Sequence, residues 1–249
     1  MKRILLTTVA LSVLGFSHPS FAADLPIYRK APAAAAPEYD WSGFYIGVAG
    51  GYGFGNHDLT NPNGPATTFG TATANYSSQG GLGGGEIGYN WQSGHIVLGV
   101  ETDFFGAAIN GNDSAAVGAG TFSGVTAVDQ DNLRWTGTLR ARGGIAVDRL
   151  LLFFTGGWAY GDIDHTSTDP TFGIDKFTVH ANGLTAGGGL AYALTDNLIG
   201  KFEYRYYNFD SYSRTPPTGA LPYKVDSTYS VVTVGLDYKF GGGPVVARY

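Results

Sequence analysis

From Trp41 to Phe240 apolar side chains return at every second position in eight successive stretches. A repeat of two marks strands whose two faces meet different surroundings. In "GFYIGVAGGYGF", Gly43 to Phe54, the shared face carries Phe44, Ile46, Val48 and Tyr52. The second stretch puts Ile87, Tyr89 and Trp91 on one face and Glu86 and Asn90 on the other. The third sets Ile96, Leu98, Val100 and Phe104 against Glu101 and Asp103. The fifth, "LLLFFTGGWAYG", is apolar on both faces, so its register is open. The sixth aligns Leu184, Leu190, Tyr192 and Leu194. The seventh sets Leu198, Phe202, Tyr204 and Tyr206 against Lys201, Glu203 and Arg205, and the eighth sets Val232, Val234, Leu236, Tyr238 and Phe240 against Thr233, Asp237 and Lys239.

The fourth stretch, "NLRWTGTLRARGGIAVD", poses the sharpest question. Trp135, Leu139, Ala141, Ile145 and Val147 occupy odd positions, and Arg134, Arg140 and Arg142 occupy even ones. Three guanidinium groups on an apolar strand need a face of their own. The connections supply the answer, because they alternate in length. Gln92 to His95, Asp148-Arg149 and Thr195 to Asn197 are tight turns. Gly55 to Gln79, Gly106 to Asp131, Asp162 to Ala181 and Asp210 to Lys224 are long, polar and rich in Gly, Ser, Thr, Asn and Asp. Eight strands wired short-long-short-long predict an all-β fold, an eight-stranded antiparallel up-and-down transmembrane barrel with its long loops outside the cell.

The rest of the chain fits an exported protein. "MKRILLTTVALSVLGFSHPSFA" has a basic start at Lys2 and Arg3, an apolar run from Ile4 to Phe16, and the small-x-small ending Ser20-Phe21-Ala22. Residues 1–22 read as a secretory signal, too short in its apolar run for a spanning helix. Residues 23–40, rich in Pro and Ala, read as a flexible periplasmic segment, residues 41–240 as the barrel and residues 241–249 as a C-terminal extension. There is no cysteine to supply rigidity. Loss of Lys2 and Arg3 with the signal takes the formal charge from -5 to -7, which argues against a nucleic-acid partner. The 39 Gly, 16 Tyr and 15 Phe disfavour helices and suit packed strands.

If the odd positions of the fourth strand face lipid, Arg134, Arg140 and Arg142 point into the lumen. On the lipid face each costs roughly 2–4 kcal/mol near the midplane. Inside, carboxylates are available: Glu86, Glu101 and Asp103 from strands two and three, Glu203 from strand seven and Asp237 from strand eight, with Lys201, Arg205 and Lys239 as further cations. Eight strands enclose only enough room for side chains. The interior is therefore expected to be a packed ion-pair network in place of a hydrophobic core. Trp41, Phe44, Tyr89, Trp91, Phe202, Tyr204, Tyr238 and Phe240 are the expected aromatic girdle at the head groups.

The motifs "DWSGFYIGVAGGYGFG", "GGGEIGYNWQ", "VLGVETDF", "LTDNLIGKFEYRYYNF" and "VVTVGLDYKF" resemble the small porin-like outer-membrane surface-antigen family of alpha-proteobacteria, over roughly Trp41 to Phe240. The resemblance implies an eight-stranded barrel like the transmembrane part of the large enterobacterial outer-membrane protein A. It implies a Gram-negative outer-membrane location, outer-membrane lipids and lipopolysaccharide as surroundings, and insertion by the barrel-assembly machinery through the C-terminal strand. Members are described as abundant envelope proteins, some as porins and some as haemin-binding, and none is an enzyme. The chain departs from the family in two places. A terminal aromatic is usual, whereas here Phe240 is followed by "GGGPVVARY", so Phe240 and Tyr249 both qualify; and Ala191 stands where relatives often carry an inward acid.

Nothing in the chain points to a cofactor. "GGGEIG", Gly83 to Gly88, matches G-x-G-x-x-G but precedes a turn rather than a helix. His57, His95, His165 and His180 share no metal-ligand spacing, and "DIDH", Asp162 to His165, reads as a solvated outer loop. Glu101 with Asp103 resembles an acid/base pair, but arginine partners favour structural ion pairing. No Ser-His-Asp or elbow signature appears. These features predict a non-enzymatic envelope protein with a structural role. The alternatives are a narrow porin for small polar solutes and a loop-borne surface receptor, for haemin for example, or adhesin. A homo-oligomer is compatible with each.

Overall fold

The computed structural model describes residues 38–60, 73–117, 125–169, 173–214 and 223–241. The expected secretory signal, most of the Pro/Ala-rich segment and Tyr249 lie outside them. The described chain is all strand: β1 (Gly43–Thr60), β2 (Thr73–Ser93), β3 (Ile96–Val117), β4 (Val125–Val147), β5 (Leu150–Asp169), β6 (Gly173–Ala193), β7 (Leu198–Arg214) and β8 (Tyr223–Phe240). Each pairs antiparallel with its sequence neighbour, and β1 closes onto β8. Closure leaves no sheet edge around the girth, the condition for a sheet in lipid. Tight turns join the strands at one end, with Gly94 and Asp148 at positive φ of 60° and 50°.

The strands are longer than the ten-residue stretches of alternation. Most of the described residues in the stretches expected as long loops are strand, and "DIDH" lies within β5 rather than in a loop. The extended ends do not close into a complete ring. β2 bonds β3 only up to Ser78↔Gly111, and β6 bonds β7 only up to Gly183↔Phe209. Above those levels β7, β8, β1 and β2 stay paired as one four-stranded lobe, and β3 to β6 as another.

The period-2 pattern sorts the faces. Along β7, Lys201, Glu203, Arg205 and Tyr207 are buried in the lumen while Phe202, Tyr204 and Tyr206 are exposed outside. On β5 the register is Leu151, Phe153, Thr155 and Ala159 inward, and Leu152, Phe154 and Trp158 outward. β4 changes phase. A bulge between Leu133 and Trp135 interrupts its pairing with β5, so inward positions are odd at Asp131 and Leu133 but even from Thr136 to Arg142. A bulge inserts one unpaired residue and redirects the side chains beyond it.

Candidate functional site

The lumen holds three layers. At its centre five carboxylates, Glu86, Glu101, Asp103, Glu203 and Asp237, face the cations Arg140, Arg142, Lys201 and Arg205, all at most 4 % exposed. The register sets Glu101 across the ladder from Arg140, and sets two acids, Glu86 and Asp103, opposite each other, so that these two need cations from other strands. Arg140 is the hub. Its Nη2 donates to Glu101 Oε1 and, at 3.0 Å, to Asp103 Oδ2. Its Nη1 donates to Glu203 Oε1 at 2.5 Å and to Thr155 Oγ1 at 3.2 Å. Arg205 joins Asp103 Oδ2 at 2.6 Å and Glu203 Oε2 at 3.2 Å. Arg142 reaches Glu101 Oε2 at 2.6 Å and stacks 4.2 Å over the Phe153 ring. Lys201 pairs with Glu86 and lies 3.5 Å from Glu101. Tyr45 and Thr138 donate hydroxyls to Glu101 (2.5 Å) and Asp103 (2.8 Å).

Gly47 makes room on β1 for this layer. It lies across from Glu86 on one side and Asp237 on the other, and a Cβ there would strike the Asp237 carboxylate. Glu86, Glu101 and Asp103 offer oxygens within 4.8 Å of one another, a density that would suit a divalent ion. Lys201, Arg140, Arg142 and Arg205 already occupy their counter-charge positions. Pairing of buried charges of opposite sign offsets their desolvation, which is several kcal/mol per ion.

Apolar layers lie above and below, so the expectation of an ion-pair interior without a hydrophobic core needs correction. On the open-loop side Leu82, Phe105, Ile109, Leu133, Ile163, Tyr207, Phe209, Tyr229 and Val231 pack together, and the gap among them admits no water molecule. On the tight-turn side Val97, Leu151, Phe153, Ala191, Ala193 and Ile199 pack with Tyr39 and Trp41. Ala191 belongs to this apolar layer.

Trp41 is not part of the outer girdle. It precedes β1, is 1 % exposed, and enters the tight-turn mouth of the lumen. Its Nε1 donates to Asp148 O at 3.1 Å and its backbone N to Gln92 Oε1 at 2.6 Å. Tyr39 stacks edge-on against it at 5.0 Å and donates to Asp196 O at 3.2 Å. The segment thereby touches all three tight turns. Lys239 completes the seal, its Nζ donating to Asp40 O and lying 4.3 Å from the Tyr39 ring centre. Burial pushes the Tyr39 phenol up to about 12, against the pull of nearby Arg149.

Arg134 is also corrected. The bulge turns it outward, 62 % exposed, where it pairs at 3.5 Å with Asp164. The extra residue in β4 puts Leu133, not Arg134, into the lumen. A buried polar cluster near the top, His57, Ser78, Asp131, His165 and Ser227, escapes sequence reasoning because its members lie in stretches expected as loops or, for Ser227, just before the eighth apolar stretch. His57 is 2.9 Å from Ser227 Oγ and 3.0 Å from Ser78 Oγ, and Asp131 is 2.6 Å from His165. The period-2 repeat, continued past Phe54 through Asn56 and Asp58, was the available signal.

The outside completes the geometry. Phe44, Tyr89, Trp91, Tyr238 and Phe240 are exposed near the tight-turn end, with Phe44 5.6 Å from Phe240 and Tyr89 4.7 Å from Trp91. Phe202 and Tyr204 also face outward, higher on β7. A second aromatic group stands above: Tyr52 with Phe54, Trp135 with Phe104 and Tyr160, and Trp158 with Tyr160. From Phe44 to Phe54 along β1, at an axial rise of about 2.5 Å per tilted residue, the band between them is about 25 Å tall. Its outward residues are exposed Ile, Val, Leu and Phe. An apolar band of that height between aromatic belts matches the hydrocarbon layer of an outer membrane.

Residues 30–240 match the family model described as the outer membrane protein beta-barrel domain. The chain belongs to that family. This outer-membrane barrel is 32 % identical over 253 residues to the 31 kDa outer-membrane immunogenic protein of Brucella melitensis biotype 1, covering 96 % of the chain and 100 % of the relative. It is 30 % identical to the 22 kDa outer membrane protein of Rhizobium leguminosarum, covering 84 % of the chain and 82 % of the relative. Among solved structures it aligns with the outer membrane protein OprG from Pseudomonas aeruginosa at 17 % identity and a TM-score of 0.48, over 80 % of this chain and 96 % of that one. The barrel is thus an integral protein of the Gram-negative outer membrane.

Proposed function

We propose that the barrel is a closed, non-enzymatic structural element of the outer membrane that anchors in lipid and holds two lobes outside the cell. The observation that carries this reading is the occluded lumen. Arg140 bridges carboxylates from β3 and β7 across the barrel axis, and tight apolar packing lies on both sides of it. A conducting path would have to break several buried ion pairs and two apolar layers together. Acid/base catalysis is disfavoured because Glu101 and Asp103 are each engaged by two or more cations or hydroxyls out of reach of a substrate. Outer-membrane lipids and lipopolysaccharide are the proposed surroundings of the apolar band, and the assembly machinery the proposed reader of the β8 end.

Planar-bilayer recording on the purified, heat-modifiable protein tests the reading. A silent bilayer is the expected result. Steady single-channel currents abolished by Arg140→Ala or Glu101→Gln would overturn it in favour of a pore through the ionic layer.

A further inference from the structure

Tyr39 to Ser42 lie outside every strand, yet their partners span the chain. Trp41 bonds Gln92 and Asp148, 51 and 107 positions on, Tyr39 bonds Asp196, 157 on, and Asp40 accepts from Lys239, 199 on. These partners belong to the β2–β3, β4–β5 and β6–β7 turns and to β8, the last strand. Ser42 adds a second bond to Gln92, whose backbone N donates to its Oγ at 3.0 Å. The apolar seat of the two rings is equally composite. Val97 of β3, Ala146 of β4, Leu151 of β5, Ala193 of β6 and Ile199 of β7 pack in one cluster with Tyr39 and Trp41. No hairpin, and no pair of neighbouring hairpins, offers this set of partners.

The seat is complete once β8 has closed onto β1, because Lys239 stands opposite Tyr45 in that last ladder. Contacts of long sequence separation become favourable only when the chain between them is ordered, since closing the loop costs entropy first. Gly43 turns the chain from the barrel wall into the mouth at the same seam. Its φ is 136°, a conformation that residues with a side chain rarely adopt, and a Cβ there would lie 3.0 Å from Phe240 O. The hinge of the segment therefore lies where the first and last strands meet.

We infer that Tyr39 to Ser42 form a latch, which seats on the completed barrel and holds it against unfolding. Interactions that form after the transition state slow unfolding and leave the folding rate nearly unchanged. The latch thus lengthens the lifetime of the barrel without obstructing its closure. To test it, the full chain is refolded from urea into phosphatidylcholine vesicles and followed by two signals. Folded mobility on an unboiled gel reports closure. Emission of Trp41 reports seating, in a variant whose other three tryptophans, Trp91, Trp135 and Trp158, are each replaced by Phe. Folded mobility is expected first, with Trp41 reaching its native emission afterwards. Trp41→Ala and Gly43→Ala should refold within about two-fold of wild type. In urea they should unfold faster, by about a hundred-fold or more and about ten-fold respectively.

Native Trp41 emission before the gel shift would overturn the inference. So would a loss of stability that appears as slower refolding, or two rates unchanged by either substitution. If the two signals coincide in time, the rates decide. If Trp41→Ala fails to give a heat-modifiable barrel, Gly43→Ala and Lys239→Met, which loses the bond to Asp40, decide in its place. Lumen conductance plays no part in any of these readings, so they stand or fall apart from the closed-barrel proposal.

Discussion

Glu101 on β3 stands opposite Arg140 on β4, and their side chains form an ion pair in which neither is exposed. The pair is the midpoint of a network that also takes in Asp103 and Glu203. Arg140→Ala would leave three buried carboxylates short of a cation. Removing one partner of such a group costs about 3–5 kcal/mol. Urea unfolding of the folded barrel, followed by the gel-mobility shift, should show a lower midpoint, and Arg140→Met paired with Glu101→Gln should recover part of the loss.

Arg134 provides the contrast. It is 62 % exposed and its Asp164 partner is 36 % exposed, and solvent-exposed pairs of this kind contribute about 0–1 kcal/mol. Arg134→Ala should leave the unfolding midpoint within about 0.5 kcal/mol of wild type. A loss comparable to that of Arg140→Ala would show that the bulge is absent and that Arg134 points into the lumen.

Gly47 separates Glu86 from Asp237 across β1, and its missing Cβ is filled by the Asp237 carboxylate. Gly47→Ala forces that carboxylate away from Lys201 and Glu86. Overpacking of this type costs about 1–3 kcal/mol, and the urea midpoint should fall accordingly without loss of β-sheet circular dichroism.

Trp41 fills the tight-turn mouth and bonds two of its turns. Trp41→Ala should destabilise the barrel by about 3–5 kcal/mol, the range for truncating a buried large aromatic. The bilayer should nevertheless stay silent, because the Arg140 layer lies beyond the missing ring. A variant that conducts would locate the seal at Tyr39 and Trp41 rather than at the ion pairs.

Spin labels separate the faces of β4 directly. Leu139 is 58 % exposed and Arg140 is 2 % exposed. A label at 139 should be relaxed strongly by oxygen, which partitions into hydrocarbon. A label at Arg140 that reported the same would place the ionic layer on the lipid side.

The alternation made the strand number, pairing order and sidedness of most strands legible, because every second residue must choose between lipid and lumen. It failed where one residue shifts that choice. Arg134 follows the even parity of Arg140 and Arg142 in the sequence, but it is itself the residue that the bulge leaves out of the register. Trp41 looked like a girdle residue from its neighbours, but it lies before β1, where the repeat no longer constrains direction. Leu151 and Phe153 make β5 apolar on both faces; that was the one sign of a greasy layer inside the barrel. His57 and Asp131 were hidden because polar composition reads as loop, although strands that rise out of lipid no longer need an apolar outer face.

The split of the rising strands into two groups of four has a consequence for how such a surface can change. Each group is held by its own backbone ladder, and among the described residues the groups meet through side chains, Phe177 with Tyr212 and His57 with Asp131. Insertions, deletions or new side chains beyond one ladder can accumulate without disturbing the hydrogen-bond register of its companion or of the cylinder that supports both.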